Sequence, residues 1–415
     1  MKALVLAGGF PQIELIKKLK SRGITVLLAD WGANPIAKEY CDRFYQKSTL
    51  DVDAIKEIAV EEKVDFIITV CTDQALLTVA KVSQELGLPC YIDYQTALNV
   101  TNKKYMKDKF VEYGIPSAKF IISNAYHPSL IEGFQFPLIV KPVDCNSSKG
   151  VVKVESAEQL KIAFEADVQL SRTRTAIVEE FIEGEELTVD AYIEEGVAKI
   201  LAVSVNEKIK DEDKFVIFRQ INPAPIPSRI VDKIKGIAQK IADSFHVQNA
   251  PLLVQMLLRG EDLYVIEFSA RTGGGVKYIL IENASGFDVI ESVIDLTLGK
   301  KPRVEPRAPK YKYFINEHVY CYPGRFDRLE GFDELRAEGI LVDYYPYKTK
   351  GAIFETVSNS GDRVVGFTIV GNSKEEITKK HIAVNERMKV LDDEGRDIAR
   401  HDLLPVFDFE RDDRG

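Results

Sequence analysis

Short apolar runs alternate with helical patterns along the first 95 or so residues, and this constrains the fold more than any other feature. KALVLAG (2–8), ITVLLAD (24–30) and DFIITV (65–70) read as buried strands. Helical patterns at 12–22, 52–62 and 73–86 separate them, the last ending at Gly87 and Pro89. Strands joined by helix-length crossovers must run parallel, so this part predicts a small doubly wound sheet. At 415 residues the chain exceeds one compact core, and two or three domains are expected.

The middle of the chain changes character. A charged helix (101–113) stops at Gly114, a good residue for closing a helix. Runs rich in β-branched residues follow: AKFIIS, FPLIVKPV, GVVKV, AIVEEFI, LTVDAYI and AKILAVSV, with turns such as Glu195-Gly196, as in antiparallel hairpins. Residues 207–227 read as a mobile loop. Ile230, Ile234, Ile237, Ile241 and Phe245 then keep helical spacing over 229–245, with Ser228 as N-cap. Two further strands and a helix near 287–298 precede a proline-rich linker at 300–310. Beyond it, strands at 313–320, 352–358 and 364–370 accompany a helix near 373–389.

Composition narrows the function. No apolar run approaches the roughly 20 residues of a membrane helix, and MKALVLAGGF reads as a strand entering a turn rather than a signal peptide. The five cysteines (41, 71, 90, 145, 321) are widely spaced without a CxxC pair, as suits a reducing cytoplasm. A net charge of -9, without a long basic run, argues against nucleic acid. A cytoplasmic protein bound neither to nucleic acid nor to a membrane is expected.

One stretch fits a core strand badly. VIEFSARTGGG (265–275) places Glu267, Ser269 and Arg271 on one face of an apolar strand and then runs into Gly273-Gly274-Gly275. A three-residue turn at Gly260-Glu261-Asp262 would set Gln255 opposite Glu267, about 5 Å apart. Oxygen donors so placed suit a hard cation such as Mg²⁺, and the arginine suits a phosphate or carboxylate. A surface hairpin with an ordinary salt bridge fits the same letters.

Two other stretches carry charge in apolar settings. In FPLIVKPVDCNSSKGV (136–151), Lys141 lies within a strand and needs a negative partner. The loop after it, with Ser147, Ser148 and Gly150, could cover phosphates through its amides and hydroxyls. AIVEEFIEGEELTVD (176–190) brings Glu179, Glu180, Phe181, Ile182 and Glu186 together. A snorkelling lysine and a solvated acidic hairpin are the bland alternatives.

Taken in order, the three stretches resemble the ATP-grasp superfamily, including its carbamoyl phosphate synthetase, phosphoribosylglycinamide synthetase and L-amino-acid ligase types. The resemblance covers about residues 1–300. It implies α/β and α+β domains: a Rossmann-like domain (1–95), a two-lobed ATP-grasp domain (96–305, with a small ATP-binding lobe at 115–185) and a C-terminal α+β lobe (306–415). It also assigns roles. Lys103 in TNK and Lys141 bind phosphate, and Ser147, Ser148 and Gly150 stand in the phosphate loop. Glu179, Glu180, Phe181 and Ile182 form the hinge that embraces adenine, and Glu186 holds ribose. Gln255 and Glu267 hold metal, and Arg271 steadies the transferred phosphate. Ser269 takes the place of the usual asparagine ligand, and the phosphate loop carries a single glycine. Gly8, Gly9 and Asp30, with Gly273, Gly274 and Gly275, fall where acceptor substrates bind.

The resemblance therefore implies an ADP-forming carboxylate–amine ligase using ATP and Mg²⁺ or Mn²⁺, with small-molecule carboxylate and amine substrates and a homodimer. A purine-pathway or carbamoyl-phosphate-synthetase-like ligase is the nearest alternative. A nucleotide-binding regulatory module without turnover is an alternative of another class. A nicotinamide oxidoreductase fits less well: LAGGF lacks the glycines of a dinucleotide fingerprint. None of the five histidines has a metal-ligand spacing.

Overall fold

The computed structural model describes residues 1–145, 149–209 and 215–405. The first unit is built as the alternation requires. Strands β1 (Lys2–Leu6), β2 (Thr25–Asp30), β3 (Arg43–Gln46) and β4 (Phe66–Ile68) form a parallel sheet in the order β3-β2-β1-β4. Helices α1 (Phe10–Ser21), α2 (Val52–Glu61) and α3 (Asp73–Leu86) make the crossovers. Helices α4 (Tyr94–Thr101) and α5 (Lys103–Tyr113) lead out of it. The sequence reading missed β3, a four-residue edge strand with no buried side chain to mark it.

A small antiparallel sheet follows. It contains β5 (Phe120–Ser123), β6 (Leu138–Pro142), β7 (Val152–Val154) and β8 (Ala176–Glu180) in the order β5-β8-β6-β7. Helix α6 (Ala157–Leu170) covers it, setting Leu160 and Phe164 against Leu138, Val140 and Val178.

The main sheet takes strands from the rest of the chain. The first are β9 (Glu185–Glu194), β10 (Val197–Lys208), β11 (Ile217–Asn222), β12 (Ala250–Arg259) and β13 (Asp262–Ser269); α7 (Ser228–Ser244) lies between β11 and β12. Helices α8 (Lys277–Ser285) and α9 (Val289–Thr297) come next. The chain then adds β14 (Tyr313–Val319), β15 (Gly324–Glu330), α10 (Phe332–Ala337), β16 (Asp343–Pro346), β17 (Ile353–Phe354), β18 (Val365–Gly371), α11 (Lys374–Arg387) and β19 (Lys389–Asp392). Eight of these strands form one antiparallel sheet, β13-β12-β9-β10-β11-β14-β18-β16. The C-terminal residues thus supply strands to the same sheet as VIEFSAR, and a second small sheet, β17-β15-β19, stands beside it.

The two faces of the main sheet differ. On one, Leu187, Val189, Val254, Met256 and Phe268 pack against Ile230, Ile234, Ile241 and Phe245 of α7. The other carries Glu186, Thr188, Asp190, Gln255, Glu267 and Ser269, placed together by the cross-strand register. Ion pairs from α1 to α9, Lys18–Asp288 at 2.6 Å and Arg22–Asp295 at 2.7 Å, tie the first unit to this sheet.

Three local expectations are corrected. The β12–β13 turn has two residues, not three, because Arg259 pairs with Asp262. A bulge then leaves Ile266 without a partner and restores the Gln255–Glu267 pairing. Helix α7 starts at Ser228, with extended Pro227 as its N-cap. The stretch 207–227, read as a mobile loop, contains β11; its residues 210–214 lie outside the described residues. Among the described residues no helix is long and apolar enough to cross a membrane, and the five cysteines are free.

Candidate active site

A cleft of about 400 Å³ lies between the small sheet and the polar face of the main sheet. Its lining includes Lys103, Lys141, Glu179, Glu180, Phe181, Ile182, Glu186, Gln255 and Glu267. Lys103 and Glu267, 164 positions apart in sequence, thereby share one cavity.

The lysines expected to bind phosphate are held by acids. Asn102 caps α5 by accepting from the Lys104 N–H at 2.9 Å, which starts the helix at Lys103. Lys103 Nζ lies 3.0 Å from Glu267 Oε2 and donates to the Cys145 carbonyl at 2.8 Å. One helical turn on, Lys107 reaches Glu179 Oε1 at 2.7 Å, and Lys141 pairs with the other Glu179 oxygen. Burial pushes the Glu179 pKa up, but the two ammonium groups outweigh it and hold it at about 2. Burial likewise pulls the Lys103 pKa down, and Glu267 more than reverses this. The Glu179 side chain is thus engaged by lysines, where the resemblance would set it against adenine.

The cleft also has an apolar lining. Ile139, Phe181, Ile182, Ile217 and Leu257 line it, as suits a flat base. Gly184 passes so close to β12 that an added Cβ would lie 2.5 Å from the Leu258 carbonyl oxygen. Glu186 accepts from Asn206 Nδ2 at 2.9 Å and Gln255 Nε2 at 3.1 Å, and pairs with Lys208 at 2.5 Å.

A smaller cavity of about 20 Å³ adjoins the cleft and shares Lys103, Gln255 and Glu267 with it. Ser269 and Arg271 line it, together with Asp73 from the start of α3. Ser269 donates its hydroxyl to Asp73, and Arg271 forms a two-pronged pair with the same carboxylate, its Nε at 2.7 Å from Oδ1. Burial disfavours both charges, yet their attraction prevails: Asp73 is held below the usual carboxylate range, and Arg271 is pushed still higher.

Other expected residues fall elsewhere. Gly8, Gly9 and Asp30 line a separate cleft of about 280 Å³ with Tyr347, Lys348 and Thr349. Asp30 accepts from the Gly8 and Gly32 N–H groups at 2.7 and 2.8 Å, and Gly8 gives Pro35 room, an added Cβ lying 2.5 Å from it. Gly150 has φ +78°, and its backbone passes against Asp167 and Pro142. Ser147 and Ser148 lie outside the described residues. The glycines 273–275 lead into α8 beside Asp190, Lys277 and His318.

Sequence reasoning missed Asp73, Lys107, Asn206 and Lys208. Only Lys107 left a local signal, since Lys103, Met106, Lys107 and Phe110 fall on one buried face of α5.

Residues 134–279 match a family model described as an ATP-grasp domain. A formate-dependent phosphoribosylglycinamide formyltransferase of Tolumonas auensis is 23% identical over 318 residues, covering 74% of this chain and 78% of that protein. An L-arginine-specific L-amino acid ligase of Bacillus subtilis is 25% identical over 354 residues, covering 79% and 82%. The crystal structure of an L-amino acid ligase from Bacillus licheniformis superposes with a TM-score of 0.78 at 20% identity, covering 94% of this chain and 98% of that one.

Proposed function

Starting from the premise that this chain belongs to the ATP-grasp superfamily, we propose that it is an ADP-forming, ATP-dependent carboxylate–amine ligase. One observation carries the reading. Lys103, Lys141, Gln255 and Glu267 meet in a single cleft between two sheets, and its annex holds Arg271.

The donor set fits a nucleotide-bound divalent ion. Glu267 offers a carboxylate and Gln255 an amide oxygen from paired positions. Among the described residues no three His, Cys, Asp or Glu side chains form a closed metal set. Mg²⁺ suits such an open pair, because it takes one or two protein oxygens and completes its shell with phosphates and water. When bound, the ion supplies charge neutralisation to the phosphate oxygens.

The chain's own groups define the rest. Phe181, Ile182 and Leu257 receive the base, and Glu186 receives the ribose. Lys103 and Lys141 neutralise the phosphates, and Arg271 faces the terminal phosphoryl group. A substrate carboxylate oxygen attacks the γ-phosphorus and ADP leaves. The amine nitrogen then attacks the acyl carbon, phosphate departs with the C–O electron pair, and the nitrogen loses a proton. Positioning and electrostatic stabilisation do most of the work in such transfers.

The test is phosphate release from Mg-ATP with carboxylic acids and amines, singly and in pairs, with mass spectrometry of the products. Release that needs both partners supports the reading. Nucleotide binding without turnover for any pair favours a regulatory module instead.

A further inference from the structure

Asp73 has no role in the reaction as described so far, yet it organises the annex. It opens α3 in the first unit and lines the annex beside Lys103, Gln255 and Glu267. Its carboxylate receives the Ser269 hydroxyl and both prongs of the Arg271 pair, in which each side chain is only 13% exposed. Arginine carries five N–H groups in one rigid plane. Here Nε and one hydrogen of Nη2 go to Asp73, and one hydrogen of Nη1 goes to the Thr272 carbonyl at 2.8 Å. These bonds leave one N–H on each Nη. Together those two form a second fork, of the kind that matches two oxygens of a phosphoryl group.

Asp73 thus decides which way that fork faces. The other carboxylate lining the annex is Glu267, the acid expected to hold metal, and without Asp73 it is what remains to draw the guanidinium. The support behind Asp73 is stiff. Gln12, 1% exposed, donates its Nε2 to the Val70 carbonyl at 2.7 Å. Cys71 then has φ +60°, a left-handed backbone that residues other than glycine seldom adopt unless their surroundings hold them there. The strained turn carries the chain from β4 into α3 and sets Asp73 against Arg271.

We propose that Asp73 is a positioning residue for phosphoryl transfer. It fixes one side of the Arg271 guanidinium so that the open fork meets the γ-phosphoryl group, and it keeps Arg271 off Glu267. The Asp73 carboxylate takes no proton and touches no substrate; it acts through the arginine alone. It does so from the first unit, 198 positions before Arg271, which makes that unit part of the transfer machinery. The inference rests on the ligase reading, since the fork has a phosphoryl group to meet only if one is transferred.

The experiment is calorimetry on the full chain with Mg-ADP, alone and with aluminium fluoride, which turns bound ADP into a mimic of the transferring phosphoryl group. Wild type is expected to bind Mg-ADP about a hundredfold or more tightly with the fluoride than without it. D73N should leave the affinity for Mg-ADP alone unchanged and lose about tenfold of that gain, the scale of one charge-assisted contact. R271M should lose it too, and D73N/R271M should lose no more than R271M, because the two residues act as one unit. A purely structural Asp73 would lower the melting temperature without moving the gain. If D73N fails to fold, D73E keeps the charge, displaces the carboxylate by one methylene, and should show a smaller gain at unchanged ADP affinity. A full gain in the folded variant overturns the proposal, as do losses that multiply in the double variant. A wild-type chain that gains nothing from the fluoride, or fails to bind Mg-ADP, is a different outcome: it removes the ligase reading first, and the inference with it.

Discussion

Lys107 and Glu179 meet at 2.7 Å inside the cleft, with side chains only 1% and 7% exposed. Lys141 takes the other oxygen of Glu179, so one carboxylate serves two ammonium groups. Replacing Glu179 by Gln leaves both lysines buried without their counter-charge. That should cost about 3–5 kcal/mol of stability, measured by urea unfolding, and displace Lys141 from the phosphates. The pH dependence has a definite sign. Because the folded pKa is depressed to about 2 from 4.5, the contribution is fully present above pH 4.5 and is lost as pH falls towards 2. Unchanged stability in the variant would show that Glu179 does not organise the lysines.

Glu267 is the acid most exposed to test by activity. Its side chain is 32% exposed and meets the buried Lys103 at 3.0 Å, so Glu267→Gln should lower the melting temperature less than Glu179→Gln, since one lysine rather than two loses its counter-charge. Turnover should fall by about 10²–10³-fold, the scale seen when one electrostatic contact to a transition state is removed. Steady-state phosphate release beside a thermal melt checks both halves. Wild-type turnover in this variant contradicts the assignment.

Asp167 predicts an unusual pH response. It is buried on α6 against the Gly150 backbone, with Oδ2 lacking a hydrogen-bond partner among the described residues, and burial pushes its carboxyl up to about 7 from 3.8. Between these values the folded chain keeps a proton that the unfolded chain has lost. Its contribution is therefore fully present below pH 3.8, declines as pH rises to about 7, and is lost above that. Asp167→Asn should flatten this trend and raise the melting temperature at pH 8 relative to wild type. An equal pH slope in both proteins would assign the response to another group.

Gly184 tests the hinge. An added Cβ would press on the Leu258 carbonyl at 2.5 Å, so Gly184→Ala must shift the 181–186 segment away from β12. Such overpacking costs about 1–3 kcal/mol. The KM for ATP should rise more than kcat falls, because the segment lines the end assigned to the base.

Much of the site was legible because its residues are coupled over short range. The period-2 pattern of VIEFSAR and the nearby turn put Glu267 opposite Gln255, and the bulge at Ile266 preserved that pairing when the turn length proved different. Asp73 was not legible: it is 198 residues from Arg271, and only tertiary packing joins them. Asp30 shares a cleft with Gly8 and Gly9, as their places at strand ends suggested, but the caps its oxygens give the Gly8 and Gly32 amides could not be read from the sequence. The joining of β14, β16 and β18 to the main sheet was hidden too, since strand patterns reveal a buried face but not which edge it extends.

The central claim is that this cleft drives ligation through an acyl phosphate, and the most direct measurement follows the nucleotide products. ³¹P NMR of Mg-ATP incubated with paired acids and amines, one acid carrying ¹⁸O in its carboxylate, reads both the products and the oxygen. The account predicts ADP and inorganic phosphate, formed only when both partners are present, with one ¹⁸O transferred from the carboxylate to the phosphate. AMP and pyrophosphate, or phosphate free of the label, would contradict it.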